Sequence, residues 1–192
     1  MSHGPATGAD PRSPTLPVGV QLRPLTMHAD DRGVFTEVFR RDWDTGIDPV
    51  QWNLVRSQAG VLRGVHVHPR HTDYLMIVAG VATIGLRDLR NGSPTEGIAA
   101  TLTVDGERLA GLTIPPGVAH GFLFHEPVLH VYAVSEYWDT DDELACHWSD
   151  PGLGIEWPMA PSAVSPRDAT AGSLSEMLAR LAPFQPIGRG AR

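Results

Sequence analysis

The chain has 192 residues, 42% of them hydrophobic, a formal net charge of −7 and one cysteine. This length and apolar content suit a globular protein with a buried core. The negative balance excludes a broad basic surface for nucleic acid or anionic membrane, and a single thiol cannot form an internal disulfide. All 15 cationic residues are arginines, so chemistry that needs a lysine is excluded too.

Residues 1–17 read as a loose Pro/Gly/Ser-rich tail without an apolar run, so neither a leader nor a membrane anchor is expected there. No later stretch approaches the ~18 apolar residues that span a bilayer, and a cytoplasmic setting is expected. Residues 18–183 read as one domain. With 20 glycines and 17 prolines, short apolar runs alternate with turn signals at Gly33, Gly60, Gly80, Asn91-Gly92, Asp105-Gly106, Pro115-Pro116-Gly117 and Asp150-Pro151-Gly152. That punctuation predicts an all-β sandwich or barrel. The segment from Tyr74 to Ile84 is long enough for a helix, but its β-branched residues and Gly80 favour strand. Cys146, in a tryptophan-rich stretch, reads as a buried inert thiol. One helix is predicted near the end. Ser173 or Ser175 caps it, Glu176 lies in its first turn, and Leu174, Met177, Leu178 and Leu181 form a stripe that packs outside the barrel. Residues 184–192 read as a second loose tail.

The chemistry concentrates in two histidine-bearing stretches. His66 and His68 are two apart, so a strand projects both to one face. Asp73 follows beyond a Pro-containing turn, and His120 follows the turn at Pro115–Gly117. Three imidazoles and a carboxylate suit a divalent metal such as zinc, iron, nickel or manganese, so one ion is predicted on His66, His68, Asp73 and His120, with no organic cofactor. His71 reads as a solvated turn residue and Asp139 to Glu143 as a solvated acidic turn. His130 shares parity with Tyr132, which allows it to line the same face.

Gly60, His66, His68 and Gly80, with Pro115, Gly117 and His120, resemble the two motifs of the cupin superfamily, with Asp73 where a glutamate is usual. The resemblance implies a double-stranded β-helix (jelly-roll) barrel. A closer resemblance runs from about residue 30 to 168. Asp30-Asp31-Arg32-Gly33-Val34-Phe35-Thr36-Glu37, Gln51-Trp52-Asn53, Leu62-Arg63-Gly64-Val65-His66, Asp88-Leu89-Arg90 with Ser93-Pro94-Thr95, Pro115–Phe122 and Ser165-Pro166-Arg167-Asp168 resemble, in order, blocks of the dTDP-4-dehydrorhamnose 3,5-epimerases.

That resemblance implies a nucleotide-sugar substrate, a dTDP-4-keto-6-deoxyhexose. His66 would remove a proton beside the ketone, oriented by Asp168. Arg63 and Arg32 would bind the diphosphate, while Phe35, Glu37, Gln51 and Asn53 would line the pocket. The opening segment would be shared in a homodimer. Three departures stand out. Asp73 occupies the place of a lysine that stabilises an enolate oxygen, and His68 the place of a glutamine. Trp138 takes the pocket place of the second of two tyrosines. Tyr132 is then the candidate acid, since Tyr137 is of opposite parity and needs a bulge to turn inward. Two other classes stay open: a metal-dependent cupin isomerase, lyase or dioxygenase, and a cupin that binds a sugar nucleotide without catalysis.

Overall fold

The computed structural model describes residues 14–185. The expected jelly-roll barrel is present. One sheet runs in the order β1 (Gln21–Pro24), β9 (Ala110–Ile114), β6 (Asp73–Ala79), β11 (Val128–Val134), β4 (Gln51–Ser57). The other runs β12 (Leu144–Ala145), β5 (Val61–Val67), β10 (Val118–Phe124), β7 (Val81–Asp88), β8 (Ala99–Asp105), with β13 (Ala163–Val164) added parallel to β5. A separate hairpin, β2 (Met27–Asp30) and β3 (Gly33–Thr36), completes the β structure.

β4 alternates as half-buried strands do: Gln51, Asn53 and Val55 are shielded, and Trp52, Leu54 and Arg56 are exposed. β6 is buried on both faces because Phe39, Trp43 and Ile47 pack over Tyr74 and Met76 from outside. The interior is apolar around Ile84, Leu86, Leu112 and Ile114 and is closed by Ile77, Phe124 and Val128. Polar side chains gather elsewhere in the interior.

The apolar run from Tyr74 to Ile84 is two strands in different sheets, and Gly80 carries the chain from one to the other. Its φ of 85° is in the left-handed region, and a Cβ there would lie 2.6 Å from the Pro127 carbonyl oxygen. Gly80→Ala is expected to destabilise the fold by about 1–3 kcal/mol, from backbone strain plus the clash. Urea titration checks this; a change under about 0.5 kcal/mol would contradict it.

The C-terminal helix α2 (Leu174–Leu181) follows a short α1 (Pro166–Ala169). Ser173 caps α2 with a reciprocal box: its Oγ accepts from the Glu176 N–H at 3.3 Å, and its own N–H donates to Glu176 Oε2 at 2.6 Å. Met177 and Leu181 bury against Val65, Val67, Leu144 and Cys146 on the outer face of the second sheet. Burial pushes the Cys146 thiol up to about 12, so it is inert as a nucleophile. Packing extends past the expected tail bounds. Leu16 joins the core, Pro17 is buried, and the Val18 N–H donates to Thr95 Oγ1. Gln185 is tied to Leu89 and Asn91. The rest of the expected tails, residues 1–13 and 186–192, lies outside the described residues. Among those described, no helix is long and apolar enough to cross a membrane.

Candidate active site

The polar part of the interior is a cavity of about 310 Å³ between the sheets. β5 and β10 supply His66 and His120, which are directly paired across the two strands. β6 supplies Asp73, and its neighbour β11 supplies His130 and Tyr132. The close approach of β5 and β10 needs Gly64, where a Cβ would lie 2.7 Å from Gly121 Cα at a φ of 119°. The Gly64 N–H also points to Asp168 Oδ2 at 3.4 Å.

His66 is held from both sides. Its Nε2 lies 2.7 Å from Asp168 Oδ1 and its Nδ1 lies 3.3 Å from Glu143 Oε1. Burial would raise the Asp168 pKa, but hydrogen bonds from His66, Ser165 and Gly64 outweigh it and hold the carboxyl below its ordinary value. An ionised Asp168 only accepts, so Nε2 carries a ring proton, and Nδ1, beside Glu143, is the nitrogen left to exchange a proton with the cavity. Asp168 reaches this place because Ser165 caps α1 and accepts from the Asp168 N–H.

Glu143 was expected in a solvated turn, and the structure corrects this. Its side chain is 9% exposed, pairs with Arg167, and accepts from Trp138 Nε1 at 2.7 Å. Burial opposes its ionisation, but His66, Trp138 and Arg167 hold its pKa down. His71 and Asp142 are likewise buried, contrary to a solvated reading. His71 Nδ1 donates to Asp142 Oδ2 at 2.6 Å. Burial alone would depress His71, but Asp73 and Asp142 raise it above the ordinary imidazole value. A charged run marks exposure only until partners of opposite sign fold against it.

His68 Nε2 and His120 Nε2 each lie 3.7 Å from Asp73 Oδ2. Burial depresses His68 and brings His120 down to about 4. Burial opposes ionisation of Asp73, yet His71, His68 and His120 keep its pKa low. Among the described residues, His68, Asp73 and His120 have ligand atoms within 4.8 Å of one another, and so do His68, His71 and Asp142. His66 is in neither group, so the four-residue ligand set expected from sequence reduces to three. His66, although paired with His120 across β5 and β10, has both ring nitrogens facing Asp168 and Glu143.

His130 does line the cavity, stacked 5.5 Å from Phe124 and 6.2 Å from Tyr132. Burial, then Arg63, brings it down to about 4. The unfolded chain, with His130 near 6.5, therefore binds more protons than the folded one between pH 6.5 and 4, and stability falls as pH is lowered through that window. Between pH 7 and 5 this one side chain is expected to remove about 2 kcal/mol. His130→Phe should recover that portion in urea titrations at the two pH values; an unchanged pH slope would refute the assignment.

Arg63, whose Nε donates to Ser57 Oγ at 3.0 Å, and Tyr132 line the cavity. Burial, then Asp73 and Glu143, raises Tyr132 above 10, so it keeps its proton at neutral pH. Trp138 lines the cavity, whereas Tyr137 is 75% exposed. Gln51 and Asn53 do not line it directly. Gln51 Oε1 accepts from the Trp138 N–H and its Nε2 donates to Asn53, while Asn53 pairs with Tyr132 in register. Arg32, Phe35 and Glu37 were expected beside substrate. They sit on or next to the β2–β3 hairpin, outside this chain's cavity, with Phe35 65% exposed and Arg32 paired to Asp30.

The chain resembles known proteins over most of its length. It is 35% identical over 157 residues to the dTDP-4-dehydrorhamnose 3,5-epimerase of Neisseria gonorrhoeae, covering 78% of this chain and 48% of that protein. The crystal structure of dTDP-6-deoxy-D-glucose-3,5-epimerase RmlC from Legionella pneumophila, in complex with dTDP-4-keto-L-rhamnose, matches with a TM-score of 0.80 at 32% identity. That match covers 88% of this chain and 95% of the other. ChmJ, a 3'-monoepimerase from Streptomyces bikiniensis solved with dTDP-quinovose, matches with a TM-score of 0.79 at 28% identity over 91% of this chain and 92% of its own. The sequence profile described as dTDP-4-dehydrorhamnose 3,5-epimerase matches residues 17–176. With that match spanning both histidine stretches and the whole barrel, the chain belongs to the dTDP-4-dehydrorhamnose 3,5-epimerase family.

Proposed function

We propose that the chain epimerises a dTDP-4-keto-6-deoxyhexose, with His66 as the base that takes a proton from a carbon beside the ketone. The observation that carries this reading is the double clamp on His66. Asp168 holds the Nε2 proton at 2.7 Å, so Nδ1 is the nitrogen through which the ring takes and releases a proton. The positive charge that forms on the ring when Nδ1 accepts a proton lies between two carboxylates. Tyr132, kept protonated, stands on the facing sheet and can return a proton from the side opposite the base, which inverts the centre. Arg63 at the cavity wall fits a diphosphate oxygen. The dTDP-sugars held by the similar solved structures support the substrate class.

Incubation with a dTDP-4-keto-6-deoxyhexose in deuterated water tests the reading, with C3 and C5 observed separately by NMR. Exchange at one or both is expected. Tight nucleotide binding without exchange would replace the enzyme by a binding protein.

A homodimer belongs to this reading. Val34 and Phe35 on the hairpin and Trp52 and Leu54 on the outer side of β4 are exposed apolar residues. Arg32, Phe35 and Glu37 would then complete a partner's cavity. Light scattering at a monomer mass would remove that part. A cytoplasmic setting accompanies the proposal, in keeping with one buried, unpaired thiol. The base chemistry itself needs no metal, and it reserves His66 from any ligand set.

A further inference from the structure

We propose that His68, Asp73 and His120 form a binding site for one divalent first-row transition-metal ion, distinct from the base His66. The two imidazoles are oriented alike. His68 Nδ1 lies 3.0 Å from the Asp142 carbonyl oxygen, and His120 Nδ1 lies 3.2 Å from that of Val118. A carbonyl only accepts, so each Nδ1 donates and each neutral ring presents its Nε2 lone pair. Both lone pairs converge on Asp73 Oδ2 at 3.7 Å, too far for a hydrogen bond. Electron-rich atoms facing one another in a buried place are unfavourable unless a cation or a hydrogen-bond donor lies among them.

The two 3.7 Å separations from Asp73 agree with such an ion, since ligand atoms about 2.1 Å from a tetrahedral metal stand about 3.4 Å apart. The supporting contacts agree too. Asp142 anchors His68 through its carbonyl and His71 through its carboxylate, and His71 Nε2 faces the other oxygen of Asp73 at 3.7 Å. Outer contacts of this kind fix the tautomer and orientation of metal-binding histidines. Two imidazoles and one carboxylate suit zinc, iron, cobalt or nickel. Three protein ligands leave coordination positions open toward the cavity, where a bound ion would act as a Lewis acid on a ligand's oxygen.

The ion site stands on its own geometry and does not require the sugar reading. The test is a cobalt(II) titration of the tag-free full-length chain after chelator treatment, followed by visible absorption and thermal melting. Saturation at one equivalent with a raised Tm is expected, unchanged in His66→Asn and weakened at least about tenfold in Asp73→Asn. His68→Gln replaces Asp73→Asn under the same criterion should the latter not fold. No saturable binding in the native chain, equal affinity in the ligand variants, or equal weakening in His66→Asn would overturn the proposal. Binding of one ion without sugar exchange leaves the site and removes the epimerase; exchange dependent on His66 without ion binding does the reverse.

Discussion

His66→Asn is expected to lower solvent exchange at the sugar carbon by about a thousandfold or more, with nucleotide binding changed little. General bases contribute about 10²–10⁴ to proton transfers, and no other side chain in the cavity has the same combination. His66 is 18% exposed, with one nitrogen locked by Asp168 and the other open to the cavity beside Glu143. His130 is neutral at the working pH but lies on the opposite sheet among Phe122, Phe124 and Tyr132. His68 and His120 face Asp73. Asparagine preserves a polar side chain of moderate size, so the loss should fall on the rate of exchange. Retention of more than a tenth of the native exchange rate would show that the base is another group.

Asp168→Asn is expected to cost more than Asp168→Ala, although asparagine is the closer copy in shape. The carboxylate accepts the Nε2 proton at 2.7 Å and also faces the Gly64 N–H. An amide can turn its NH2 toward Nε2, which forces the ring proton onto Nδ1, the nitrogen that must accept from substrate. Wrong-tautomer substitutions at such pairs cost about 10⁴ in rate, whereas alanine leaves both tautomers accessible and should cost about 10²–10³. Exchange rates of the two variants, each checked for native melting, decide the matter. If alanine were as damaging as asparagine or more so, Asp168 would be acting by charge alone.

Much of the fold was legible because it is local. Turn glycines, alternation in β4 and the Ser173–Glu176 box are each written within a few residues, and the structure has them where the pattern put them. The run from Tyr74 to Ile84 was legible as strand but not as two strands in separate sheets, because Gly80 marks a bend without saying which sheet lies beyond it. The parity of His130 and Tyr132 was legible for the same local reason, and both face the cavity.

The candidate site divides along that line. Residue types and spacing determined that His66, His68 and His120 come from two histidine-bearing strand segments and that Asp73 opens the next strand. Only the tertiary structure decided which of them meet. It took His66 to Asp168, 102 residues away, and left His68, His120 and Asp73 as a separate group. It also buried His71, Asp142 and Glu143, which a sequence presents as solvated. Burial of a charge depends on a partner brought from elsewhere in the chain, and no local pattern carries that information.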